Sequence, residues 1–163
     1  MDKTLDWWQK IEVFLRERTD GVKHSGRTLF DHLTGTHALL AKQGAPEHVC
    51  LAGLFHSIYG TNIFRHETML ISQRNVVIAL IGPDAERLAY IFCSCGRPKA
   101  LVNAAESGPP YSVINRRNGE SIQLSTRDMF DLLDIELANL EDQGGGPMLQ
   151  RVLEAMMSVK HPA

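Results

Sequence analysis

Apolar positions recur along this chain at helical spacing over most of its length. Leu5, Trp8, Ile11, Val13, Phe14 and Leu15 fall on neighbouring turns and predict an amphipathic helix over residues 4–18. A polar connector, TDGVKHSGR, leads to a second helix over 28–43 with Leu29, Phe30, Leu33, His37, Leu40 and Ala41 on one face, and Gly44 ends it as a left-handed cap. Pro46 suits the first turn of a third helix, and the nearly all-apolar run EHVCLAGLFHSIYG makes that helix central, carrying His56 deep into the fold. Further helices are expected over 67–81, 84–94 and 98–105, broken at Gly82-Pro83 and at Gly96 to Pro98.

The pattern then changes period. In YSVINRRNGESIQLS, β-branched residues flank Asn118-Gly119, a dipeptide that accepts positive φ, so a small β-hairpin with a tight turn is expected near 111–124. Ser125 or Thr126 can cap a helix over 127–141, with Met129, Leu132, Leu133, Glu136 and Leu140 on adjoining turns, and a last short helix follows Gly144 to Gly146. The fold class predicted is mainly α, a compact helical bundle with one small hairpin.

Composition narrows the classes further. With 163 residues and 44% hydrophobic content, the chain suits one domain spanning 1–163. Seventeen basic against nineteen acidic side chains leave a net charge of -2, so no strong field would draw in nucleic acid or an anionic membrane. No apolar run approaches the roughly 18 to 20 residues that span a bilayer, and a cytoplasmic location is expected. Cys50, Cys93 and Cys95 cannot all pair within the chain, and Cys93-Ser94-Cys95 lacks the two-residue gap of a zinc knuckle or redox motif. Trp7 and Trp8 read as packing residues; with Met156 and Met157 they are also candidates for a homo- or hetero-oligomer interface.

Histidine is where chemistry concentrates. Six of the seven histidines fall between residues 24 and 66: His24, His32, His37, His48, His56 and His66. His32 and His56 lie on successive expected helices joined by the turn at Gly44 to Pro46, which would let both imidazoles face one pocket.

The run SGRTLFDHLTGTHALLAKQGAPEHVCLAGLFHSIYGT resembles the opening of the HD-domain half of bacterial alarmone (guanosine tetraphosphate) hydrolases. Those enzymes begin with Ser-Gly, place a histidine six residues after that glycine, and reach a His-Asp pair twenty-four residues later. Here His32 follows Gly26 by six residues and His56 follows His32 by twenty-four, with Gly44 at the matching helix break. The resemblance covers about a quarter of the chain and implies an HD-like core over 19–95, with the hairpin and helices of 108–163 added to it.

The resemblance also implies a divalent cation held by two histidines and two aspartates, yet the acids are replaced. Ser57 stands at the Asp of the His-Asp pair, Gly60 and Thr61 at a following Glu-Asp pair, and Tyr90 in LAYIF at the acid of a later Leu-Ala-Asp motif. Hard or borderline ions need anionic oxygen, so no metal ligand set and no cofactor are expected. The candidate catalytic residues are His32, His56 and Ser57; the candidate substrate-binding residues are His24, Arg27, Thr36, Tyr59, Thr61 and Arg65. The expected function is a divergent HD-like enzyme acting, without the usual divalent metal, on a small anionic or nucleotide-like metabolite, as a lyase, cyclase or hydrolase of a specialised pathway. A non-catalytic domain that binds a ligand or partner chain is the alternative, and a metal-dependent phosphohydrolase with substituted ligands is a second one. Arg97, Arg116 and Arg117 read as exposed charge.

Overall fold

The computed structural model describes residues 3–160, with side chains described from 6 to 159, so the side chain of Leu5 lies outside the described residues. Among the described residues eight α-helices dominate: α1 (Lys3–Thr19), α2 (Leu29–Lys42), α3 (Glu47–Leu54), α4 (Arg74–Ile81), α5 (Pro83–Ser94), α6 (Lys99–Ser107), α7 (Thr126–Asp142) and α8 (Pro147–Lys160). Two antiparallel strand pairs accompany them, β1 (Lys23–His24) with β2 (Arg27–Thr28), and β3 (Tyr111–Ile114) with β4 (Ser121–Leu124). The mainly α class with a small hairpin is what the apolar periodicity predicts. Among the described residues no helix is long and apolar enough to cross a membrane.

Helix boundaries follow local chemistry. The Asp31 amide donates to Thr28 Oγ1 at 3.1 Å and the Thr28 amide to Asp31 Oδ2 at 3.4 Å, a reciprocal cap that fixes the start of α2. At its other end Gly44 adopts φ 78°, letting the amides of Gly44 and Ala45 reach the carbonyls of Ala41 and Leu40. Ser125 caps α7 in the same way as Thr28 caps α2, its hydroxyl accepting from the Asp128 amide at 3.0 Å.

Two apolar clusters form the core. One gathers Ile11, Leu15, Leu29, Leu33, Phe55 and Ile58; the other Leu40, Val49, Phe92, Leu101, Met129 and Leu132. Helix α2 packs on both α3 and α7, and it approaches α3 closely because a Cβ at Gly53 would collide with the Leu40 side chain. This sandwich holds the carboxyl end of α7 against the first turns of α2.

Four details depart from the sequence expectation. Helix α3 ends at Leu54, and residues 55–59 continue as turns because His56 Nδ1 donates to Gly53 O at 2.6 Å, occupying a carbonyl that a continuing helix would use. The fourth helix starts at Arg74 after a 3₁₀ turn at Ile71–Gln73, not at residue 67, since Met69 N is drawn to Ile58 O and the Gln73 side chain accepts from Leu70 N. The β3–β4 connection is a six-residue loop in which the Asn115 amide donates to Glu120 O, and only Gly119 of the Asn-Gly pair has positive φ. The polar connector, with no strands expected in it, contains the β1–β2 pair, turned by Ser25 at φ 48° and Gly26 at φ 83°, the two positive angles a two-residue hairpin turn requires.

Candidate functional site

His32, on the first turns of α2, is fully buried and makes polar contacts through both ring nitrogens. Its Nδ1 lies 2.5 Å from Asp142 Oδ2 at the end of α7, and because a carboxylate only accepts, Nδ1 carries the proton. Its Nε2 stands 3.1 Å from His56 Nε2 and 3.0 Å from Asn139 Oδ1. His56 donates its own Nδ1 proton to Gly53 O, so its neutral ring presents a lone pair to His32. His24, carried in by the β1–β2 hairpin, stacks on the His32 ring at 4.2 Å and 9°. Arg27 closes the outer side, donating to both the carboxylate and the main-chain carbonyl of Asp142.

Three acceptors therefore meet with no proton among them when both rings are neutral: His32 Nε2, His56 Nε2 and Asn139 Oδ1. One added proton, held between the two imidazoles, satisfies both rings. Burial sets the opposing force, disfavouring charge. It pushes His56 well below the ordinary histidine value, with His32 adding to the effect, and pushes His24 down to about 4, aided by His32 and Arg27. His32 is also lowered by burial, while its hydrogen bond to Asp142 pulls the other way.

His24 and His56 open onto a cavity of about 170 Å³. Ser57, Thr61, Asn139 and Gln143 add polar groups to its wall, Phe64, Phe92, Leu140 and Met148 add apolar ones, and Arg97 reaches it from the chain after α5. Two buried polar atoms of this wall, His24 Nδ1 and Ser57 Oγ, have no hydrogen-bond partner. An orphaned buried group costs on the order of 1 to 3 kcal/mol, which a bound molecule with matching groups would recover.

Of the candidate residues, His24, His56, Ser57 and Thr61 line this cavity and His32 backs it. Arg27 instead faces Asp142. Thr36 is buried and donates to His32 O within its own helix at 3.0 Å, and Tyr59 donates to Glu86 at 2.7 Å in a separate buried cluster with Arg74. Arg65 is exposed and does not line the cavity. Tyr90 lies apart too, receiving a bond from Asn115 beneath the Arg74 guanidinium. Arg116 and Arg117 are not simply exposed charge: they donate to the carbonyls of Cys93, Tyr59 and Gly60 and tie the hairpin loop to the turn after α3.

The residues missed by sequence reasoning are Arg97, Glu136, Asn139, Asp142 and Gln143. Arg97 is buried and held through two nitrogens by Glu136, with Nε donating to Oε2 at 2.5 Å. Gln143 donates to Asn139 Oδ1 and Asn139 donates to Glu136, so α7 contributes a connected polar ridge. A signal was present: Glu136, Asn139 and Gln143 recur three and four residues apart, which puts three polar side chains on one helix face.

The donor set does not fit the divalent ion implied by the resemblance. The convergence point offers two imidazole nitrogens and a neutral amide oxygen, and the nearby carboxylate, Asp142, faces the far nitrogen of His32 and Arg27. Hard cations need anionic oxygen there. Among the described residues, no group of three or more His, Cys, Asp or Glu side chains is arranged to hold a metal ion.

Fold and site together define a mainly helical domain built around a buried histidine cluster and a small cavity. The chain belongs to the DUF6817 family, described as a domain of unknown function, whose model matches residues 14–97, just over half of the chain. No curated protein and no solved structure matches it.

Proposed function

We propose that this chain is a divergent HD-like enzyme that moves a proton at a small polar metabolite without a divalent metal. The observation that carries this reading is the contact series Asp142–His32–His56, in which the two facing Nε2 atoms stand 3.1 Å apart with room for one shared proton, on the wall of a partly open cavity beside unpartnered His24 Nδ1 and Ser57 Oγ. Asp142 fixes the His32 tautomer and leaves Nε2 as the base; His56, fixed by Gly53 O, shares the proton taken up. Gln143 and Glu136 orient Asn139, whose carbonyl oxygen steadies a proton on His32. Ser57 and His24 recognise the bound molecule. A nucleotide is disfavoured as the occupant, since pockets for drug-sized ligands start near ~300 Å³.

The test is to incubate purified protein with a fractionated metabolite extract and follow consumption by mass spectrometry. The wild-type chain should consume at least one small metabolite, with or without chelator, and His56→Gln and His32→Gln should slow that consumption by about 100-fold or more. Identical metabolite profiles for wild type and folded variants would sink the reading, and loss of activity in chelator would overturn its metal-free form.

A further inference from the structure

The cavity holds information about the charge of its occupant. Apart from the histidines, Arg97 is the charged side chain on the wall, and its charge is balanced by the fully buried Glu136, which accepts from its Nε and Nη2. Arg27, the other arginine at the site, is spent on Asp142 outside the cavity. An anion entering the cavity would therefore give up water without gaining an uncompensated cation, and burying an unpaired charge costs far more than burying a bonded neutral group.

What the wall offers instead is hydrogen-bonding capacity in two neutral forms. A serine hydroxyl both donates and accepts, and neutral imidazole has one nitrogen of each kind. Phe64, Phe92, Leu140 and Met148 supply the apolar part of the wall, with Phe64 edge-on to His24 and Phe92 edge-on to His56. At about 30 Å³ per water-sized group, a volume of about 170 Å³ admits a compact molecule of about six such groups.

Resting on the proposed function, we infer that the site takes a small uncharged molecule, with a short apolar body and one carboxamide- or hydroxyl-type end, in preference to a phosphate or carboxylate. The amide end meets Ser57 and His24, and the body packs on the aromatic face.

Isobutyramide and isobutyrate test this, being nearly identical in shape and different in charge. Each is titrated into the full ¹⁵N-labelled chain near neutral pH, with inorganic phosphate as a third probe, and the amide signals of His24 and Ser57 are followed by NMR. Isobutyramide should bind about tenfold or more tighter than isobutyrate, phosphate should leave these signals unmoved, and Ser57→Ala should weaken the amide several-fold. Leu140→Phe, which fills the cavity, should abolish amide binding even if Ser57→Ala fails to fold. Equal or tighter binding of isobutyrate or phosphate overturns the inference, and so does the absence of amide binding up to about 100 mM, well beyond the millimolar range of weak ligands. Either result leaves the histidine proton-transfer reading to be judged by metabolite consumption, so the two can fail separately.

Discussion

Glu136 has no solvent exposure and faces an arginine that is nearly as deeply buried. Removing its charge while keeping its shape, as in Glu136→Gln, strands the Arg97 guanidinium in the core. The expected loss is about 3 kcal/mol, measured by urea unfolding. Gly35 shows a second single-residue constraint: a Cβ there would overlap the Asp142 carboxylate, so the bare helix surface is the slot in which Asp142 reaches His32. Gly35→Ala should destabilise by about 1 to 3 kcal/mol and remove the downfield proton resonance expected of a His32 Nδ1–H bonded to carboxylate. Because burial lowers the base His32 and its partner His56, both neutral forms persist below the ordinary histidine value of ~6.5. Proton abstraction should thus stay on its plateau at neutral pH and fall only on the acid side of ~6.5, as a pH–rate profile would reveal. At this scale the sequence was informative for His32 and His56, whose expected convergence survives as ring contact, although His56 stands in the turn after α3 and not on a helix. It was uninformative for Asp142, because a contact across 110 residues depends on how α7 docks on α2, which no local pattern encodes.

Among the elements, α7 bears the most consequence, since its last turns deliver Glu136, Asn139, Asp142 and Gln143. Ser125→Ala deletes its side-chain cap and should cost about 1 kcal/mol in thermal or denaturant unfolding, with the site geometry retained. Strongly periodic helices such as α1, α2 and α7 were legible to within a residue or two, because apolar spacing and cap chemistry agree there. Where they disagree, the pattern misleads. The run through His56 is apolar enough for a longer helix, but the imidazole competes for the Gly53 carbonyl and the helix stops. Ser25-Gly26 reads as a polar connector, yet its two left-handed residues fold back a hairpin that places His24 over His32.

For the whole molecule, the buried histidines tie stability to acidity. His24 titrates at about 4 in the folded chain against about 6.5 when unfolded, so the unfolded state binds the proton more tightly between those values. The stability is complete above ~6.5 and is lost as the pH falls toward 4; the lowered His32 and His56 act in the same direction. Melting temperatures across that range should decline with acidification, and His24→Gln should make the decline shallower.

The family match at 14–97 includes His24, His32, His56 and Arg97, while the carboxylates that complete two of them, Asp142 and Glu136, lie on α7 beyond it. The matched segment is thus half of an electrostatic circuit. Expressed alone, it would expose an arginine and a histidine shaped to meet acids that are no longer there. Any other chain built on the same segment, if it keeps both residues, faces the same requirement. It must bring two carboxylates from another part of its sequence, or from another molecule, to the same two points.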